Sequence, residues 1–332
     1  MKKTLILALC FIAVLLIAGF CVLRFYVLSE WNGQQQRIYL PLDGDVRSEL
    51  TSQLGPSFGS KVYTMLGWQG KKDRKAHGSF VVDNGDKAFY VARSIAQGHQ
   101  DPVKLTFNNI RTFGDLASRI SRQLEFDSTA FVMACDTMLT SKGFRKEEFT
   151  AAFIPDTYEF YWTASPGTVI EKLAKERSDF WNDSRLEKAG KLGLTPTEVH
   201  TLASIVASES NKADEWGKIA RLYLNRLGKG MPLQADPTVV FAVGDFSLRR
   251  VLAKHLKTES PYNTYINKGL PPGPIRMVER AQLNAVLDAP ENDFLYMCAK
   301  PDFSGYHNFA KDYNRHRINA ARYYRALKQR GI

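Results

Sequence analysis

The 332-residue sequence holds only four cysteines, and two of them, Cys10 and Cys21, fall inside an apolar N-terminal run. Cys135 and Cys298 are left for the rest of the chain, far apart in sequence. A cysteine-stapled secreted module is therefore excluded, while one bridge or two buried thiols both stay open. Histidine is scarce too, with six residues, and His307 and His316 lack zinc-ligand spacing, with no further His or Cys clustered near them. No metal or other cofactor is expected. Long blocks of one charge sign are also missing, although the formal net charge is +11. That excess suits an acidic partner such as nucleic acid, anionic lipid or an anionic wall polymer, and equally suits a basic soluble surface. No nucleic-acid-binding motif is recognisable, so that partner is not expected. Hydrophobic content of 44% and charged content of 24% exclude a disordered chain. The length admits two domains, each with its own core.

Charge is absent altogether from Thr4 to Leu23, "TLILALCFIAVLLIAGFCVL", twenty residues in all. A helix of that length crosses a hydrocarbon layer of about 30 Å. A cleaved signal would have an apolar centre of roughly 7–15 residues followed by a small-x-small site. Here Arg24, Phe25, Tyr26, Val27 and Leu28 follow, and no such site is present. Leu9 and Phe20 precede the two cysteines where a lipid-acceptor motif wants a small residue. An uncleaved, single-pass anchor in the plasma (inner) membrane is expected. Lys2 and Lys3 lie before the span and only Arg24 lies close after it, which puts the N-terminus in the cytoplasm and the bulk of the chain outside.

The expected fold class is α+β. Residues 1–24 are the cytoplasmic tip and transmembrane helix, and 25–36, with "EWNGQQQR", a polar linker. Residues 37–125 form a small α+β subdomain, and 126–332 a mainly helical domain with a β-hairpin. Within the subdomain, "RIYLPLDGDVRSELTSQLG" and "VKLTFNNIRTFGDLASRISRQL" both read as strand, turn and amphipathic helix, a weak echo of one another. In the larger domain "FIPDTYEFYWTASPGT" is an aromatic segment bracketed by Pro155 and Pro166, with Pro-Asp-Thr suited to a turn or a helix entry. "DFLYMCAKPDFSGYHNFA" reads as a hairpin turning at Ser304–Gly305. The basic C-terminal helix is expected to pack through Ile318, Ala321 and Tyr324.

Chemistry is expected at "TPTEVHTLASIVASES". Thr195 is an N-cap, Pro196 suits the first helical position, and Glu198 completes a capping box. Val199, Leu202, Ala203 and Val206 form an apolar stripe, and Glu209 follows Val206 by three positions. It points close to the buried face, where apolar neighbours favour a protonated carboxyl, the state a general acid needs. The alternative is a glutamate that closes the helix and pairs with Arg221 or Arg226. Downstream, Gln234, Asp236 and Thr238 cluster around Pro237, and "SPYNTYINKGLPPGPI" sets Tyr262 and Tyr265 on either side of Asn263 and Thr264 before a proline-stiff loop. Tyrosine faces and amide side chains are what a sugar-binding cleft uses.

"ASIVASES", "NRL", "QADPTV", "PYNTYINKGLPPGPI" and "GYHNF" follow in this order over about 110 residues, and together they resemble the YceG-like endolytic murein transglycosylase family. The resemblance covers residues 150–332, from "FIPDTYEFY" onward; over 36–125 it is weaker and similar to a LysM-like portion. It implies an extracytoplasmic enzyme that cuts MurNAc–GlcNAc bonds of peptidoglycan strands without water, with a part in wall assembly and glycan length. The family's catalytic glutamate matches Glu209, and Ala207 stands where many relatives have a second acid. His307 and Asn308 fall in the family's Gly-x-His-x-Phe block and join the expected glycan contacts. Wall synthases are a partner class that such an anchored enzyme would suit. A muramidase that hydrolyses the same bond, with Asp236 or Glu259 as second carboxylate, and a non-catalytic wall-binding scaffold are the alternatives.

Overall fold

In the computed structural model, residues 2–70, 76–248 and 250–331 are described. The chain opens with helix α1 (Lys2–Val22), whose apolar side chains meet no core. Together with the π-turn Leu23–Val27 it is long and apolar enough to cross a membrane. Beyond it the chain divides into two compact units. The first comprises Met1–Leu105, Arg122–Phe126 and Tyr158–Ser165; the second comprises Thr106–Ser121, Asp127–Thr157 and Pro166–Ile332.

In the first unit β1 (Gln36–Leu40) and β2 (Gly78–Val82) pair antiparallel, with Ile38 opposite Phe80 on the buried face. Between them runs α2 (Val46–Trp68), and α3 (Ala88–Gln97) follows. Asp45 caps α2 by accepting from Ser48 N at 2.7 Å. The helix is broken at Gly55, which has φ +76°, because Pro56 has no N–H to continue the ladder and its predecessor must leave the helical region. Ile38, Leu50, Leu54, Val62, Leu66 and Phe80 fill the core.

Residues 25–36, expected as a linker, are bonded into this unit. Trp31 N donates to Asp86 O at 2.8 Å, Gly85 N to Trp31 O at 2.7 Å and Ala88 N to Ser29 O at 2.8 Å. The Trp31 ring lies 5.4 Å from Phe58. Nor do the contacts follow a single division after residue 125. Glu125 accepts from Leu42 N at 3.0 Å and meets His77 Nε2 at 2.7 Å, and Trp162 lies 5.1 Å from Tyr39.

β3 (Val103–Phe107) and α4 (Phe113–Ser121) repeat the strand–helix order of β1 and α2, and α5 (Ser128–Ser141) follows. β4 (Asp156–Phe160) pairs with β3, so Pro155-Asp156-Thr157 opens a strand and not a helix. Then come α6 (Pro166–Phe180), α7 (Asp183–Lys191), α8 (Pro196–Glu209), α9 (Ala213–Gly228), α10 (Asp236–Val243) and α11 (Arg280–Leu287). β5 (Tyr296–Ala299) and β6 (His307–Ala310) form the expected hairpin, and α12 (Tyr313–Gln329) ends the chain. The second unit's core gathers around α8, which is buried on every side from Val199 to Ala207, a wider burial than one stripe.

On α12 the packed face differs from expectation. Ile318 and Tyr324 are 47% and 61% exposed, whereas Asn319 is buried and His316 stacks on Tyr296 at 5.3 Å. The hairpin offers polar and aromatic partners, so it selects the His316–Asn319–Tyr323 side of the helix.

Candidate active site

α8 starts and stops on side-chain bonds. Glu198 N donates to Thr195 Oγ1 at 3.2 Å and Thr195 N to Glu198 Oε2 at 2.8 Å, a reciprocal capping box with Pro196 at the first turn. At the other end Ser210 turns to extended backbone, its carbonyl accepts from Trp216 Nε1 at 2.7 Å, and its hydroxyl reaches Glu215 Oε2 at 3.3 Å. The last helical residue, Glu209, is thereby held half-buried against α9.

One phenol meets it. Tyr223 Oη donates to Glu209 Oε1 at 2.6 Å, and among the described residues Glu209 Oε2 takes no hydrogen bond. Burial pushes the Glu209 carboxyl up to about 7, against the lowering effect of the Tyr223 bond; the nearby Asp236 charge adds to the rise and Arg226 opposes it. Neither arginine of the sequence-level alternative pairs with Glu209. Arg221 Nη2 meets Glu291 at 2.8 Å, and Arg226 donates to Leu295 O at 2.6 Å and Leu233 O at 2.7 Å. With Asn225, which donates to Asn292 O at 2.8 Å, Arg226 anchors the chain before β5 to α9, which gives the "NRL" motif a structural task.

Glu209 and Asp236 line two adjoining recesses. The smaller, about 270 Å³, is walled by Tyr223, Arg226, Gln234, Tyr265, Cys298 and His307 among others. The larger, about 920 Å³, runs past Phe241, Phe246, Arg111, Arg276, Tyr323 and Tyr324. Asp236 is itself engaged, since Tyr265 Oη donates to its Oδ1 at 2.6 Å. His307 Nδ1 lies 2.9 Å from Glu215 Oε2 and its backbone N donates to Glu215 Oε1 at 2.9 Å. A carboxylate only accepts, so the Nδ1 of His307 is the donor in this bond.

The structure thus brings Glu209, Gln234, Asp236, Tyr265 and His307 together. Thr238, Asn263 and Thr264 are buried, and their side chains are used within the chain. Thr238 Oγ1 bonds Ala235 O at 2.7 Å and Thr264 Oγ1 at 2.8 Å, while Asn263 Nδ2 donates to Leu256 O and Thr258 O at 3.0 and 2.9 Å. They fix the loop that presents Asp236 and Tyr265. Tyr262 and Asn308 line neither recess. Tyr262 packs its ring 4.6 Å from Phe241, and alternation along β6 turns Asn308 away from the face that carries His307. The proline loop owes its course to a close approach: a Cβ on Gly273 would collide with the backbone carbonyl of Glu147.

Sequence reasoning missed Tyr223 and the arginines of the larger recess. Only the i to i+3 relation of Tyr223 to Arg226, on the α9 face that meets α8, could have signalled the first. Cys135 and Cys298 are both free thiols.

The pattern of the YceG-like family matches residues 46–322. The endolytic murein transglycosylase of Bacillus subtilis (strain 168) is 35% identical over 158 residues, 47% of this chain and 43% of that protein. The protein of the same name from Streptococcus pneumoniae serotype 2 (strain D39) is 34% identical over 110 residues, 32% of this chain and 20% of that one. This chain therefore spans less than half the length of these relatives. A crystal structure of a yceG-like protein of Listeria monocytogenes shares the fold, with a TM-score of 0.58 and 22% identity over 86% of this chain and 98% of that one.

Proposed function

This chain belongs to the YceG-like family, and from that membership and the surroundings of Glu209 we propose a membrane-anchored lytic transglycosylase that cleaves MurNAc–GlcNAc bonds within peptidoglycan strands. The observation that carries the reading is one carboxyl, held near neutrality at about 7, at the junction of two open recesses. Protonated Glu209 donates to the glycosidic oxygen as the C1–O bond breaks. The carboxylate formed takes the proton of the muramyl C6 hydroxyl, whose oxygen attacks C1 and closes a 1,6-anhydro ring. Glu209 ends protonated as it began, and no water is consumed. Tyr223 holds Oε1 and leaves Oε2 for the proton transfers. A recess on each side of the acid suits an endolytic cut, because the strand can continue in both directions.

Further parts of the reading rest on the first unit. The order of β1, two helical segments on either side of Gly55, and antiparallel β2 supports a LysM-like assignment. α1 acts as the anchor, with Lys2 and Lys3 holding the N-terminus in the cytoplasm and the catalytic part outside. A cutting site tied to the membrane suits glycan length control beside the wall synthases.

A hydrolytic second reading keeps one support: Asp236, unlike the exposed Glu259, lines the same recesses as Glu209. Mass spectrometry of peptidoglycan treated with the full chain, wild type beside Glu209→Gln, separates the cases. Anhydro-muramyl ends from the wild type alone are expected. Reducing ends would establish hydrolysis and make Asp236 the second carboxylate to replace first, and absence of any cleavage by the wild type would make the chain a scaffold.

A further inference from the structure

The larger recess beside Glu209 carries positive charge that no acid answers. Arg111, Arg250 and Arg276 line it, and among the described residues none of the three forms an ion pair. Arg276 Nη2 donates to Asn109 Oδ1 at 2.7 Å, but its Nε is fully buried with no partner. Arg111 lies over the Phe246 ring at 4.8 Å, within the same recess. Burial lowers the Arg276 pKa, and the like charge of Arg111 lowers it further, so the two cations crowd each other. Glu279 acts in the opposite sense, yet its carboxylate is used in the capping box of α11. The acids that line the recess are Glu209, which is near neutrality, and Asp236, which is bonded to Tyr265.

A half-buried guanidinium without a counter-charge, such as that of Arg276, is unfavourable in the free protein and becomes favourable once an anion arrives, and the exposed Arg111 beside it adds a second cation to the same recess. Their fork matches a carboxylate through paired N–H donors. In a murein strand the sugar rings carry no charge, and carboxylates sit on the peptide attached to the muramyl lactyl group. Resting on the function proposed above, we propose that the Arg111–Arg276 arm binds the carboxylates of that peptide, so the substrate is peptide-bearing glycan and not stripped glycan. The arm begins at Glu209, where the muramyl residue must sit, and Arg111 and Arg276 line the same recess, along which an extended peptide advances about 3.3–3.6 Å per residue. Phe241, Phe246, Tyr323 and Tyr324 supply the apolar walls for the intervening atoms.

The test uses the full chain in detergent on two substrates: uncrosslinked strands with their peptides, and the same strands after amidase treatment, with the lactyl carboxylates that amidase frees capped as amides. The wild type is expected to show a kcat/KM at least about 10-fold higher on the peptide-bearing strands, the size of a charge-assisted bond. R111Q and R276Q should each reduce that ratio about 5-fold or more, and together bring it close to one. Because Arg111 is exposed, R111Q keeps the test decisive should R276Q not fold. Strands whose peptide carboxylates are amidated should behave like stripped strands. Equal cleavage of both substrates by the wild type, or an equal loss on both in the variants, overturns the proposal. So does inhibition by poly(ribitol phosphate) that R111Q abolishes while the two strands are cut alike, since the arm then serves an anionic wall polymer. No cleavage of either substrate by the wild type overturns instead the transglycosylase reading beneath it.

Discussion

The last turn of α8 and the first turn of α9 each set a glutamate against the core, and they treat the two carboxyls differently. Glu215 is 4% exposed and receives His307 N, His307 Nδ1 and the Ser210 hydroxyl. Glu209, six positions earlier, receives Tyr223 alone, and burial lifts its carboxyl to about 7. Donors replace the water that burial removes: Glu215, with three of them, ties its surroundings together, whereas Glu209 has one, and burial favours its protonated form. Burial alone does not separate the two glutamates; the donors around them do.

Exchanging the two residues' roles by mutation is the harshest trial of that contrast. Glu209→Gln is expected to lower strand cleavage about 1,000-fold or more, measured as anhydro ends released, with thermal unfolding intact. Glu215→Gln should act mainly on the fold, costing about 2–3 kcal/mol because Nδ1–H of His307 and its backbone N–H lose a charged acceptor. Unaltered unfolding in Glu215→Gln together with a complete loss of cleavage would reverse the two assignments.

Proton linkage sharpens the same point. The folded-state value of Glu209, about 7, lies above the ordinary 4.5, so the folded state holds a proton that the unfolded state has released between those limits. Wild-type stability should therefore fall as pH rises through this window, by about 1–3 kcal/mol after allowing for partial solvent access. Glu209→Gln, which has no proton to lose, should keep its stability. Denaturant unfolding at pH 5 and pH 9 reads the difference, and parallel losses in both proteins would contradict the burial argument. The smallest effect is expected from Tyr223→Phe. Loss of the bond that favours the carboxylate should move the alkaline limb of the kcat/KM profile upward and reduce the maximum about tenfold.

Local signals in the sequence carried much of this. The Thr195–Glu198 capping box and the position of Glu209 at the helix end depend on neighbours within one turn, and both were legible. The hairpin of β5 and β6 was legible for the same reason. Thr238 and Thr264 looked like sugar contacts because their polarity was visible, while their mutual bond across the 238–264 separation was not. Tyr223 gave no signal until α9 was laid against α8, and the start of β4 looked like a turn or a helix entry because its partner β3 lies about fifty residues upstream. Residues 25–36 looked free because glutamines outnumber the one tryptophan that packs on Phe58. In each case the deciding partner is distant in sequence.

Direct titration of the Glu209 carboxyl bears on all of this at once. Carbon-13 NMR of glutamate-labelled full chain, wild type beside Glu209→Gln, should show one carboxyl that titrates near pH 7 in the wild type and is missing from the variant. A wild-type spectrum in which every glutamate titrates below about pH 5, within the ordinary range, would contradict the assignment of Glu209 as the proton donor.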